Sequence, residues 1–151
     1  MKFFDSIDSA LDFAIELEEE AFAMYHSLAR MTADKNMRAT FIALAEEEAG
    51  HKRRLEAVKE GEIQLLKNSA VPDLHISAYL VDIQPTAEMT LQDSLVYAIK
   101  REESAHKLYI DFAGAVAAPA LQEMFLALAA EEARHKLRFE TIYEAGFMPE
   151  N

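Results

Sequence analysis

Along residues 37–58 apolar side chains recur every three or four positions, as Met37, Phe41, Leu44, Leu55 and Val58, and the spacing returns as Leu121, Phe125, Leu128, Phe139 and Ile142. That is the period of one face of an α-helix. Two other stretches share it: Leu11, Ala14, Ala21, Tyr25 and Leu28, then Leu91, Leu95, Ala98, Ala105, Tyr109 and Phe112. The pattern predicts helices over about 6–31, 34–60, 90–116 and 119–145. Start signals agree with these bounds. Asp34 can cap the second helix, Thr90 with Asp93 reads as a capping box, and Pro119 suits a first helical turn.

Shifted by 84 residues, the chain overlays itself. Residues 41–51 align with 125–135, and Glu18, Tyr25, Lys52, Arg54 and Glu56 align with Glu102, Tyr109, Lys136, Arg138 and Glu140, without an insertion. An offset held so strictly implies two copies of one helical hairpin. The links inside each hairpin are short, so their helices are antiparallel neighbours. The segment between the hairpins, about 61–89, contains Pro72 and Pro85 and is long enough to return along a helix of ~25 residues at ~1.5 Å per residue. Within it, residues 73–81 are expected to form a short helix or strap. The chain 1–151 therefore reads as a single all-α domain, with hairpin one at about 6–60, a crossover, and hairpin two at about 90–145.

Polar residues break each apolar stripe near its middle. The breaks are Glu18, Glu48 with His51, Glu102, and Glu132 with His135. Carboxylates buried together at one depth of a bundle pay for lost hydration and repel one another. Protons can neutralise them, and so can two divalent cations, whose charge matches that of four carboxylates. An i, i+3 spacing sets the Glu and His of each Glu-x-x-His pair on one helix face. One Glu from each of two helices, plus Glu-x-x-His from each of the other two, is the donor pattern of carboxylate-bridged di-iron and di-manganese bundles.

Together, Glu18-x6-Tyr25, Glu48-x2-His51, Glu102-x6-Tyr109 and Glu132-x2-His135 resemble the rubrerythrin-like branch of the ferritin-like di-iron superfamily, over most of the chain. The resemblance implies a ferritin-like four-helix bundle with one long crossover. It implies two iron ions per chain, held by Glu18, Glu48, His51, Glu102, Glu132 and His135. Glu48 and Glu132 would bridge them, Glu18 and Glu102 would be terminal ligands, and Tyr25 and Tyr109 would hydrogen-bond to ligating carboxylates. Manganese, or a mixed pair, fits the same donors. The implied activity is oxidoreductase chemistry on hydrogen peroxide or dioxygen. A ferritin- or bacterioferritin-like ferroxidase or iron-handling role is the alternative, and a metal-stabilised interaction module is a third reading. Peroxidase-type rubrerythrins usually carry a four-cysteine rubredoxin domain and an extra carboxylate one turn beyond the helix-3 ligand. This sequence has no cysteine, and the matching position is Ala105. Electrons are therefore expected from a separate donor protein, and the enzyme reading goes with a homodimer rather than a hollow oligomer.

Charge and composition narrow the partners. A net charge of −12 argues against nucleic acid and anionic membrane surfaces but suits cations. The lack of cysteine removes disulfides, thiolate sites and cysteine nucleophiles and fits a reducing compartment. The opening Met1-Lys2-Phe3-Phe4-Asp5 reaches an acid too early for a signal peptide, and no apolar run of ~18 residues exists, so a cytoplasmic location is expected. Off the stripes, Glu19, Glu20, Glu46, Glu47, Glu103 and Glu131 are expected on solvated faces. His106 is expected near the site without ligating, and His26 and His75 as structural or exposed. Phe13, Leu17 and Met24 form a second stripe, expected under the crossover or at a dimer interface.

Overall fold

The helical period is realised in α1 (Ile7–Met31), α2 (Lys35–Gly61), α3 (Leu91–Ala115) and α4 (Pro119–Phe147). The computed structural model describes residues 7–61 and 89–147. The bounds of α1 and α3 are offset by 84 at both ends, as are the starts of α2 and α4, so the sequence repeat is a structural repeat. Each expected boundary lies within two residues of the observed one. Asp34 and Thr90 stand just outside their helices because they act as caps. Asp34 Oδ1 accepts the Met37 N–H at 2.9 Å. Thr90 accepts the Asp93 N–H at 3.1 Å, and the Asp93 carboxylate accepts the Thr90 N–H at 3.4 Å. These contacts satisfy amide donors that the first turn leaves open.

Two apolar clusters fill the bundle, and their membership fixes the direction of every helix. One joins Leu11 of α1, Leu55 of α2, Leu108 and Phe112 of α3, and Leu121 and Phe125 of α4. The other joins Leu28, Phe41, Leu95 and Phe139. The start of α1 thus lies with the ends of α2 and α3 and the start of α4. All adjacent helices are antiparallel, and α2 ends at the opposite end of the bundle from where α3 begins. This is the ferritin-like arrangement of a four-helix bundle, all-α among the described residues. The expected crossover, with its strap at 73–81 and His75, lies outside those residues. No helix among them is long and apolar enough to cross a membrane.

Leu11, Leu28, Leu55, Leu95, Leu108 and Leu128 are fully buried, each contributing about 1.5–3 kcal/mol. Phe13 and Leu17 pack half-buried against the first cluster and Met24 against the second, so this stripe widens the core. Ala105 is buried within the first cluster. Between the two clusters lies a layer of another character: Glu18, Glu48, His51, Glu102, Glu132 and His135, each no more than 4% exposed.

Candidate metal centre

The Glu-x-x-His spacing places Glu48 beside His51 on α2 and Glu132 beside His135 on α4, while α1 and α3 bring Glu18 and Glu102 to the same depth. His51 Nδ1 lies 3.5 Å from Glu18 Oε2, 3.3 Å from Glu48 Oε1 and 2.8 Å from Glu132 Oε1. His135 Nδ1 lies 3.0 Å from Glu48 Oε1, 3.6 Å from Glu102 Oε2 and 3.7 Å from Glu132 Oε1. The imidazoles face each other with centroids 5.9 Å apart and planes 7° from parallel.

These atoms converge without hydrogen-bonding. Glu18 Oε2, Glu48 Oε1, His51 Nδ1, Glu102 Oε2, both Glu132 oxygens and His135 Nδ1 are buried with no aligned partner. Ligand atoms about 2 Å from one ion sit roughly 3–4 Å from each other, the separation found here. Two overlapping donor sets result: Glu18, Glu48, His51 and Glu132; and Glu48, Glu102, Glu132 and His135. Within each set the donor atoms lie within 4.8 Å of one another, and Glu48 and Glu132 belong to both. The donor set fits two cations sharing two carboxylates.

By themselves the side chains neutralise each other with protons. Burial, then the charge of Glu48, holds the Glu18 carboxyl well above the usual carboxylate range, opposed by the Tyr109 hydroxyl. Burial, then Glu102 and Glu48, does the same to Glu132. Burial pushes Glu48 up too, but His135 and the two protonated carboxyls outweigh it and hold Glu48 at about 2. Burial pushes His135 down, yet Glu102 and Glu48 outweigh it and hold it at about 11. Burial dominates at His51, which falls below the usual imidazole range. Protons thus occupy positions that cations would take.

The neighbouring residues are less symmetric than the donors. The Tyr109 hydroxyl donates to Glu18. The Tyr25 hydroxyl, expected to do likewise, is buried with no partner; its ring packs on Phe139, whose repeat counterpart is Leu55. Tyr109→Phe should therefore destabilise the metal-free protein by about 1 kcal/mol, and Tyr25→Phe should be neutral or stabilising. Urea unfolding of both variants checks this, and equal losses would contradict it. His106 Nδ1–H donates to the Ala129 carbonyl at 2.8 Å, and His106 belongs to neither donor set.

Four expected solvated carboxylates have specific partners. His51 Nε2 lies 3.0 Å from Glu131, and His135 Nε2 contacts Glu47, which lies one residue before Glu48 as Glu131 does before Glu132. Outer carboxylates of this kind fix the tautomer that leaves Nδ1 free for a metal. Glu20 accepts from Arg101 Nη1 at 2.6 Å, and Arg101, only 7% exposed, also donates to the Leu17 carbonyl. Arg101 and Leu17 are repeat counterparts, so this side chain ties α1 to α3 where both carry a donor carboxylate. An arginine facing an apolar counterpart was the available signal. Glu19 pairs with Lys52 at 2.9 Å on the rim of a cavity of about 250 Å³ between α1 and α2, which Glu18, Phe22 and Ala49 also line.

The fold and this cluster define a ferritin-like bundle built around a carboxylate–histidine centre. The chain belongs to the rubrerythrin family, whose model matches residues 9–81 and 93–151. It is similar in structure to a hypothetical protein from Pyrococcus furiosus, at TM-score 0.76 and 26% identity over 93% of this chain and 89% of that one. It is also similar to a Thermotoga maritima protein provisionally described as a ferritin-like diiron-carboxylate protein, at TM-score 0.79 and 18% identity over 98% of this chain and 100% of that one. No curated protein matches the chain.

Proposed function

We propose that the protein is a di-iron oxidoreductase that reduces hydrogen peroxide or dioxygen. The observation that carries this reading is the convergence of seven buried, unpartnered donor atoms from six side chains into two overlapping sets. Glu18, Glu48, His51 and Glu132 would hold one iron, and Glu48, Glu102, Glu132 and His135 the other. Two ferrous ions, when bound, would supply two electrons, which with two protons take hydrogen peroxide to two waters or dioxygen to hydrogen peroxide.

The chain's own residues exclude bulk water by burial, orient the imidazoles through Glu47 and Glu131, and stabilise Glu18 through Tyr109. The cavity beside Glu18 gives a small oxidant a route from the α1–α2 surface. A separate protein returns the electrons, in the cytoplasm, to what we take to be a homodimer. In a ferritin-like alternative the iron is itself the substrate. It is favoured by the absence of a carboxylate at Ala105, and it requires a hollow oligomer that size-exclusion chromatography would reveal.

Anaerobic reconstitution with Fe²⁺ should load two irons per chain, and one or none would overturn the reading. Stopped-flow mixing of the di-ferrous protein should show oxidation by both peroxide and dioxygen. Ala105→Glu places a carboxylate one turn beyond Glu102 and should shift the rate ratio towards peroxide. An unchanged ratio with two irons still bound would count against a role for that position.

A further inference from the structure

The two outer carboxylates are repeat counterparts, yet their surroundings differ. Arg54 Nη2 donates to Glu131 Oε1 at 3.1 Å and Oε2 at 2.9 Å, while Glu131 Oε2 lies 3.0 Å from His51 Nε2. Arg134 adds a second cation 3.9 Å from Glu131. Around Glu47 neither cation is repeated. The counterpart of Arg134 is Gly50, which has no side chain, and the counterpart of Arg54 is Arg138, which donates to Thr40 Oγ1 at 3.2 Å instead. The Glu131 side chain is accordingly 28% exposed and that of Glu47 59%.

We propose that Arg54, acting through Glu131, makes the two metal positions unequal, so that the His51 position fills first and the His135 position second. This rests on the two-metal reading above. One guanidinium nitrogen bridging both oxygens of a carboxylate restrains its rotation. A fixed Glu131 holds the His51 ring with Nδ1 already aimed inward, so little rotamer freedom is lost when the metal arrives. The contact also draws charge from Glu131, which makes His51 a weaker donor, but Glu131 keeps its contact with the ring and the ordering gain remains. His135 is held only by a carboxylate that is itself free to move, and binding must order both. Arg54 is a positioning residue; it lies outside both donor sets.

The test is anaerobic calorimetric titration of the metal-free full chain with Fe²⁺, repeated with Co²⁺, whose absorption spectrum reports its coordination. Wild type should bind in two steps at least tenfold apart in affinity. Arg54→Leu should weaken the first step roughly ten- to a hundredfold, merging it with the second, and alter the Co²⁺ spectrum at one equivalent. Arg54→Lys, which keeps the charge on a more flexible stem without the rigid planar guanidinium, should fall between. Arg138→Leu removes an equivalent tie between α4 and α2 and should leave both steps as they are. Thr40→Met, which installs the residue found at its counterpart Met124, frees Arg138 and should tighten the second step. Equal wild-type affinities, an Arg54→Leu titration like wild type, or an Arg138→Leu effect equal to that of Arg54→Leu would each overturn the proposal while leaving the two-metal centre intact. Failure of wild type to bind two ions would instead remove the two-metal reading itself.

Discussion

Glu132→Gln is expected to abolish metal binding at both positions and, in the same molecule, to raise the stability of the metal-free bundle at pH 8 by roughly 1–4 kcal/mol. Glu132 contributes to both donor sets, so an amide there removes an anionic ligand from each. It is also fully buried, and burial with the charges of Glu102 and Glu48 already opposes its ionisation. An amide of the same shape carries no such penalty. Glu48→Gln should lose both metals as well but destabilise the metal-free protein, because Glu48 is the ionised partner that helps keep His135 protonated. Glu18→Gln should remove one position only, since Glu18 belongs to a single set. Metal analysis and urea unfolding of the three variants separate these outcomes. Two irons per chain in Glu132→Gln, or equal stability changes in Glu132→Gln and Glu48→Gln, would contradict the assignment.

The sequence made the bundle legible because burial writes a period into it: α1 to α4 follow stripes that only a helix can present to one core. The six central residues were legible for the same reason, as polar interruptions of those stripes at matched repeat positions. What the pattern could not show lies off the stripes. Glu47 and Glu131 sit one residue before a core carboxylate, where an isolated helix would expose them to solvent. They meet His135 and His51 only because α2 and α4 face each other across the centre, a contact between residues 88 and 80 positions apart. Arg101 lies one residue from Glu102, off the stripe, and only its apolar repeat counterpart Leu17 marked it out. Tyr25 shows the opposite error. The resemblance implied a hydrogen bond like that of Tyr109, but the two halves carry different neighbours, Phe139 and Leu55, and the hydroxyl is left unpaired.

Loading with divalent metal should raise the melting temperature by at least about 10 °C at pH 8, and by clearly less at pH 6. With free cation at a thousand times its Kd, one site contributes about 4 kcal/mol, and each kcal/mol moves the midpoint of a protein this size by roughly 2–4 °C. The pH dependence comes from the groups that hold protons where cations would sit. Glu18 and Glu132 have folded pKa values raised above the unfolded 4.5, so folding carries no penalty from them below that value and an increasing one as pH rises towards the folded pKa. His135, raised to about 11, contributes stability that is complete below 6.5 and declines as pH rises through 11. All three make the metal-free protein less stable at pH 8 than at pH 6. His51, lowered by burial, acts in the other direction, but only one group does so. Glu48, held at about 2, gives stability that is complete above 4.5, is lost as pH falls from there through about 2, and is constant between pH 6 and 8. The metal-loaded protein escapes these penalties, since a cation replaces the protons, and metal affinity should rise with pH by up to roughly tenfold per pH unit for each proton displaced. Differential scanning calorimetry of metal-free and anaerobically Fe²⁺-loaded protein at pH 6, 7 and 8 measures the gap directly. A gap that narrows with rising pH, or a midpoint indifferent to metal, would mean that Glu18, Glu132 and His135 do not exchange protons for cations at a common buried site.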